Sequence, residues 1–310
     1  MAILVAADFD AAEWAAWWPA LEAALPGEML LRDAGAARGD IDIALVANPN
    51  IGALQGLPNL RFIQSLWAGV DRLLLDTSVP AAVPLARMVD PAMNSAMAET
   101  ALWAVLGLHR GFFDYAAQQR SALWQQHAPQ RADELSVTVL GLGQMGRTAT
   151  HSLRRQGYRV LGWSARPAEV DAVETASGDA SLQGVLAAAH IVVNLLPLTP
   201  ATRGLFDTKR LAQMRRGASL VNLARGAHVV EADLLSALDG GQLHRAVLDT
   251  FAVEPLPAEH AYWRHPKVTV LPHVAAQTDP RSAALIAAQN VRAFRAGLEP
   301  ANRVDRTRGY

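Results

Sequence analysis

Arginine, aspartate and histidine each stand at the end of an apolar run in the second half of the chain. Arg225 closes ASLVNLAR, Asp249 and Thr250 close HRAVLDT, His273 closes KVTVLPH, and Leu196 and Pro197 close HIVVNLLP. In an open α/β sheet, ligands sit outside the carboxyl ends of the strands. One edge would then carry a guanidinium, a carboxylate and an imidazole, groups suited to gripping an anion and moving a proton near neutrality. Singly, each has an ordinary structural use. The chain contains nine histidines, an arginine often makes a surface ion pair, and Glu254 in TFAVEPLP can simply open a proline-containing turn. What makes them a candidate site is their shared placement beside a glycine-rich turn.

That turn lies in SVTVLGLGQMGRTA, where Gly141, Gly143 and Gly146 give G-x-G-x-x-G. The spacing alone is weak, since about 0.1 chance matches are expected in a chain of this glycine content. Its context is stronger: a β-type run precedes it and the helix-compatible RTATHSLRRQG follows. Gly141 permits the tight turn, Gly143 lets backbone approach a pyrophosphate, and Gly146 lets helix and strand pack closely. A phosphate would sit at the helix N-terminus, where free amides and the helix dipole favour an anion.

The next strand, YRVLGW, should end near Trp163, where an acidic residue usually binds the ribose 2′-hydroxyl of NAD. Ser164 and Arg166 stand there instead. A hydroxyl and a guanidinium suit a 2′-phosphate, which an acid would repel. The expected cofactor is NADPH in preference to NADH.

Elements that could position these groups alternate along the whole chain, short apolar runs with helical patterns, which predicts an α/β fold with parallel sheets. AILVAA, IDIALVA, LRFIQSLW and VPLAR are the candidate strands of a first, smaller unit. Asn94 to Gln126 reads as one long helix whose first half, AETALWAVLGL, is apolar nearly all round, so it should be buried between domains or subunits. The series from SVTVLGLG to KVTVLPHV then predicts a doubly wound, Rossmann-type sheet. A last helix, roughly Pro280 to Gly297, makes the first unit discontinuous if it packs back there. The expected organisation is a flavodoxin-like substrate-binding domain from residues 1–95 and 280–310, around an NAD(P)-binding domain at 96–279.

Bulk properties fit a soluble globular chain. With 310 residues and 51% hydrophobic content it can bury sizeable cores, and a net charge of −1 offers no bulk attraction to nucleic acid or anionic membrane. There are no cysteines, which excludes disulfides and thiolate metal sites and suits a reducing compartment. No metal is expected. MAILVAADFD reads as a first strand, not a leader, and no apolar run approaches the roughly 18 residues that span a bilayer. The cytoplasm is the expected location.

The strings GLGQMG, NLLPLTPATRGL, VNLARGAHVVEADLLSALDGGQL, AVLDTFAVEPLP and VTVLPHVAA, in this order, resemble the D-isomer-specific 2-hydroxyacid dehydrogenase family. The resemblance extends from QSLWAGVD to VDRTRGY and is nearest the family's glyoxylate and hydroxypyruvate reductases. It implies that Arg225, Glu254 and His273 are catalytic, with a 2-oxo acid reduced by hydride from nicotinamide. His273 would deliver the proton, Glu254 would orient the imidazole and stabilise its charged form, and Arg225 would grip the carboxylate and polarise the carbonyl. It implies substrate contacts at Trp67, Ala68, Gly69 and Val70, where backbone amides take the carboxylate. Around the cofactor it places Leu142, Gln144 and Met145 with the three glycines, then Trp163, Ser164, Arg166, Leu196, Pro197, Thr202, Leu223, Ala224, Asp249 and His273. Asp249 would accept from the nicotinamide amide. A homodimer is also implied.

One departure bears on the substrate. Ala47 in LVANPN stands where the reductase branch often has a tryptophan, and Trp67 stands where many relatives have a small residue. Either Trp67 refills the space that Ala47 leaves, or the site admits 2-oxo acids larger than glyoxylate. Three other readings remain open: an NAD-dependent member of the same family acting on a bulkier acid, a β-hydroxyacid dehydrogenase, and a non-enzymatic nucleotide-sensing corepressor. A β-hydroxyacid dehydrogenase would carry its GLGxMG turn at the N-terminus and use a lysine. A corepressor would not need the Arg, Glu and His set.

Overall fold

The computed structural model describes residues 1–309. Tyr310, the end of the segment 280–310 and of VDRTRGY, lies outside the described residues. The chain begins with β1 (Ala2–Ala7), α1 (Ala11–Ala24), β2 (Leu30–Leu31), β3 (Ile41–Ala47), β4 (Phe62–Ser65), α2 (Asp71–Leu75) and β5 (Leu85–Ala86). Then follow α3 (Pro91–His109), α4 (Phe112–Arg120), β6 (Ser136–Leu140), α5 (Gln144–Arg155), β7 (Arg159–Ser164), β8 (Glu174–Ser177), α6 (Asp179–Ala188) and β9 (Ile191–Asn194). The last elements are α7 (Thr208–Gln213), β10 (Ala218–Asn222), α8 (Glu231–Asp239), β11 (Leu243–Leu248), β12 (Val268–Val270) and α9 (Pro280–Arg295).

The chain divides into two compact units, one of Met1–Met93 with Thr278–Tyr310 and one of Asn94–Gln277. The first holds a five-stranded sheet in the order β2-β1-β3-β4-β5, all parallel. That is the flavodoxin-like order. Its central strands are buried on both faces, which is why IDIALVA shows no polar alternation apart from Asp42. Asp10 starts α1 through a reciprocal capping box with Glu13, at 2.8 and 2.9 Å. Asp279 caps α9 with Pro280 in its first turn. This helix packs on α1, and Phe294 stacks on Phe62 at 5.2 Å. Within the core, Asn290 Nδ2 donates to Gln64 Oε1 at 2.6 Å, satisfying a glutamine with no exposed surface.

The second unit has seven parallel strands in the order β12-β11-β10-β9-β6-β7-β8. Strand order reverses between β6 and β9, the position where a Rossmann-type sheet opens its ligand crevice. The fold is α/β with doubly wound parallel strands. Two strands escaped the sequence reading. Leu30–Leu31 is too short to show a pattern, and Glu174–Ser177 is a half-exposed edge strand without an apolar run.

The expected helix over 94–126 is a correction. Helix α3 stops at His109, Gly111 turns left-handed at φ 67°, and α4 ends at Arg120. Gly107 explains the fold-back, because a Cβ there would lie 2.5 Å from the Phe113 ring. Within the single chain, α3 buries one face. Met97, Ala98, Ala101, Ala104 and Val105 pack against Val137, Val139 and Val193 of their own unit, whereas Trp103 is 43% exposed.

Candidate active site

Helix α5 starts at the glycine turn, with Gly143 as its N-cap, and each glycine there answers a different constraint. Gly141 sits at φ 100°, where a Cβ would meet the Leu195 carbonyl at 2.6 Å. At Gly146 a Cβ would come 1.7 Å from the Gly141 carbonyl oxygen, so only glycine allows this strand-to-helix approach. Around Gly143 nothing lies within 4 Å of an added Cβ. The fold itself therefore leaves this backbone open, as a close approach by a ligand would require. Gly143 and Gln144 are exposed, Met145 is half-buried, and Leu142 is buried against Gly162.

At the end of β7 the expected residues separate. Trp163 is buried in the core, its indole N–H shared between the Gly178 carbonyl and Ser181 Oγ, both at 3.1 Å. Ser164 Oγ donates to the Arg166 carbonyl at 2.6 Å and shapes the turn. The Arg166 side chain stands exposed beyond it. Sequence reasoning passed over Arg147, whose guanidinium joins the Leu142 carbonyl, at 3.0 Å, to the Glu169 carbonyl. It thereby ties the glycine turn to the loop that carries Arg166.

On the far side of the switch point, Arg225 leaves β10 just before a short 3₁₀ turn, Gly226–His228. A Cβ on Gly226 would come 1.9 Å from the Phe251 carbonyl carbon, so this glycine lets the Arg225 turn lie against the segment leading to Glu254. Beneath it is a buried polar network. Asn222 Nδ2 donates to the Arg225 carbonyl at 2.9 Å, and Asn194 Nδ2 donates to Asn222 Oδ1 at 2.9 Å. Asn194 Nδ2 also faces His228 Nδ1 at 3.0 Å, while His228 Nε2 faces the Pro197 carbonyl at 3.3 Å. These contacts suit an imidazole that accepts at Nδ1 and donates from Nε2, on a histidine with no exposed surface. Thr202 Oγ1 donates to the same Pro197 carbonyl at 2.8 Å, which fixes the loop after β9. Leu196, Leu223 and Ala224 are buried around this network. A signal for it was present in the sequence: IVVN and SLVN both end an apolar run on asparagine, and the two asparagines are register partners.

His273 and Glu254 meet directly, imidazole Nδ1 to carboxylate Oε2 at 2.8 Å. The other carboxylate oxygen accepts the Phe251 N–H at 2.9 Å. Burial works to raise the Glu254 carboxyl, but the His273 and Phe251 hydrogen bonds and the charges of His273 and Arg225 outweigh it, holding it below its ordinary value of 4.5. With Nδ1 engaged and the imidazole half exposed, Nε2 is the nitrogen left to face a reactant. Asp249 is 1% exposed, and its carboxylate accepts the Val274 and Ala275 N–H groups at 2.7 and 3.0 Å. Burial pushes this carboxyl up, against those two hydrogen bonds and the charge of His273. The second unit thus brings together Arg225, Asp249, Glu254 and His273.

Trp67, Ala68, Gly69 and Val70 belong to the first unit, between β4 and α2. The backbone N–H groups of Ala68, Gly69 and Val70 find no acceptor among the described residues. Ser65 Oγ accepts the Trp67 N–H at 3.1 Å and donates to the Trp67 carbonyl at 2.9 Å, which sets the turn.

A glycine turn of this form at the switch point of a doubly wound parallel sheet defines a dinucleotide-binding fold. A family model described as D-isomer specific 2-hydroxyacid dehydrogenase, NAD binding domain, matches residues 102–275. The chain is 38% identical over 281 residues to glyoxylate/hydroxypyruvate reductase A of Yersinia enterocolitica, covering 88% of this chain and 90% of that protein. It is similar to the D-isomer specific 2-hydroxyacid dehydrogenase of Xanthobacter autotrophicus Py2, solved with NADPH and MES, at TM-score 0.93 and 39% identity over 100% of this chain and 99% of that one. It is also similar to an NADPH-dependent glyoxylate/hydroxypyruvate reductase of Sinorhizobium meliloti, solved with NADP and sulfate, at TM-score 0.93 and 32% identity over 99% of each chain. The chain belongs to the D-isomer specific 2-hydroxyacid dehydrogenase family.

Proposed function

We propose that this protein is an NADPH-dependent reductase of 2-oxo acids, glyoxylate and hydroxypyruvate among them, yielding the D-2-hydroxy acid wherever the product is chiral. The observation that carries the reading is the His273–Glu254 pair, 2.8 Å apart, in the same unit as the glycine turn. The unit of Asn94–Gln277 would hold the cofactor, and the other unit would hold substrate. Gly141, Gly143 and Gly146, with the start of α5, would take the pyrophosphate. Arg166 would take the 2′-phosphate, since the Ser164 hydroxyl proton is already committed to the Arg166 carbonyl. Leu142, Gln144, Met145, Leu196, Pro197, Thr202, Leu223 and Ala224 would border the cofactor, and buried Trp163 would support that wall.

The reduced nicotinamide supplies the hydride that the ketone carbon receives. His273 donates a proton from Nε2 to the carbonyl oxygen and, being half exposed, is recharged from solvent. Glu254 holds the ring by Nδ1. Arg225 grips the substrate carboxylate and stabilises charge growing on the carbonyl oxygen. In the first unit, the amides of Ala68, Gly69 and Val70 would be donors to a substrate carboxylate.

Support for a homodimer comes from a single exposed segment, in which Phe112 is 56%, Leu123 53% and Trp124 93% exposed. Among the described residues, no helix is long and apolar enough to cross a membrane. A cytoplasmic location is proposed on the cysteine-free composition, and no nucleic-acid partner is proposed at a net charge of −1.

The test is steady-state oxidation of NADPH and NADH with glyoxylate, hydroxypyruvate and phenylpyruvate, with chiral analysis of the product. An L-product would remove the stereochemical assignment. NADPH binding without turnover of any 2-oxo acid would replace the reductase reading with a nucleotide sensor.

A further inference from the structure

In the sheet of the first unit, β3 lies between β1 and β4. Phe9 follows β1 and Trp67 follows β4, yet their rings meet edge to face with centroids 6.0 Å apart. The contact therefore passes over the carboxyl end of β3, where Ala47 is 1% exposed and presents only a methyl group. Trp17 of α1, 2% exposed, locks both rings. It stacks on Phe9 at 5.5 Å and meets Trp67 edge to face at 5.6 Å. The Trp67 backbone is held by Ser65 Oγ and by the Met88 N–H, 3.1 Å from the Trp67 carbonyl. Trp67 as a whole nonetheless remains partly exposed. A rigid aromatic surface thus stands next in the chain to three backbone donors without a protein acceptor.

We propose that Trp67 is the specificity-determining residue of this chain, and that the interlocked Phe9, Trp17 and Trp67 rings select 2-oxo acids with a flat apolar substituent, arylpyruvates above glyoxylate. The inference rests on the 2-oxo acid reductase reading. A carboxylate held at residues 68–70 would set its substituent against this surface, where burial and ring packing favour an aromatic group. Glyoxylate has no carbon beyond the carbonyl to bury. The hydroxyl of hydroxypyruvate would lose water there without gaining a partner. Because the rings are already fixed, binding has little side-chain freedom left to remove.

The test compares kcat/KM with NADPH for phenylpyruvate and glyoxylate in the wild type, Trp67→Ala and Phe9→Ala. The wild type should favour phenylpyruvate by about tenfold or more, the scale set by one well-filled apolar pocket. Trp67→Ala should erase that preference through a raised KM for phenylpyruvate, with the loss in kcat/KM on phenylpyruvate about tenfold or more beyond any loss on glyoxylate. Should the alanine variant not fold, Trp67→Phe keeps a ring and should keep part of the preference. A wild-type preference for glyoxylate, or an equal loss on both substrates in either Trp67 variant, overturns the proposal. Absence of turnover with every 2-oxo acid strikes the reductase reading itself, and this inference with it.

Discussion

Asp249 holds His273 through the backbone. Its carbonyl accepts the His273 N–H at 2.9 Å, and its carboxylate takes the N–H groups of the next two residues. His273 needs that clamp because its φ is 55°, a left-handed conformation that costs a non-glycine residue about 1–2 kcal/mol. Asp249→Ala would leave two donors unmatched, the buried Ala275 N–H and the more exposed Val274 N–H, and should lower stability by about 1–3 kcal/mol. Turnover should fall even where the protein is folded, because the imidazole loses its fixed position. Chemical denaturation and steady-state rates on one preparation check this, and full activity in Asp249→Ala would show that the turn holds itself.

Replacing the imidazole separates proton delivery from cofactor binding. His273→Ala should lower kcat by about 10²–10⁴-fold, the range for a general acid. NADPH affinity, measured by fluorescence titration, should stay near the wild-type value. Equal losses in both would mean that the ring serves the cofactor and not the proton.

Cofactor preference should turn on Arg166. Arg166→Ala should weaken NADPH by about 10–100-fold, the value of charge-assisted hydrogen bonds to a phosphate. NADH, which lacks the 2′-phosphate, should be little affected. An unchanged NADPH to NADH ratio would take Arg166 out of the site and turn attention to Arg147, which anchors the same loop.

Gly143→Ala and Gly146→Ala should fail in different ways. The added methyl at 143 meets no protein atom within 4 Å, so the fold should lose no more than about 1 kcal/mol, as a helix cap, while dinucleotide binding drops. At 146 the methyl collides with the Gly141 carbonyl oxygen, and stability should fall by about 3 kcal/mol or more. Thermal melts with and without NADPH distinguish them: Gly143→Ala should keep its apo melting temperature and lose most of the ligand-induced rise.

Glu254 gives stability a defined pH dependence. Its folded carboxyl lies below the ordinary value of 4.5, so its contribution is fully present above that pH and is lost as pH falls through the lowered value. Asp249, with its carboxyl pushed up, has the opposite sign: ionisation costs stability as pH rises through the raised value. Glu254→Gln should therefore flatten the acid limb of a stability profile without altering the neutral region's slope. An acid limb identical to the wild type would show that the His273 contact adds nothing to the fold.

Much of this was legible before any coordinates. Parallel strands buried on both faces must be continuous apolar runs, so β3 and β6 stood out, and the residues after such runs were the candidates that the second unit gathers at Arg225, Asp249 and His273. Composition hid the break at Arg110–Gly111, because apolar residues continue through Phe112 and Phe113; Gly111, left-handed at φ 67°, and the packing of the Phe113 ring on Gly107 together turn the chain. Trp163 was read by position along the strand, but its side chain points into the core, a matter of strand phase that one residue reverses. The Asn194, Asn222 and His228 network was hidden because each residue is ordinary alone; its meaning lies in strand order, which places β9 beside β10.

The first unit draws on both ends of the chain, and that sets a timetable for synthesis. As the polypeptide leaves the ribosome, residues 1–93 emerge without α9, and Gln64 lacks the amide donor that Asn290 later supplies. Residues 94–277 are complete sooner and can fold as a unit of their own. The amino-terminal portion must wait, partly formed, until the last helix arrives, so the unit translated first is the one finished last.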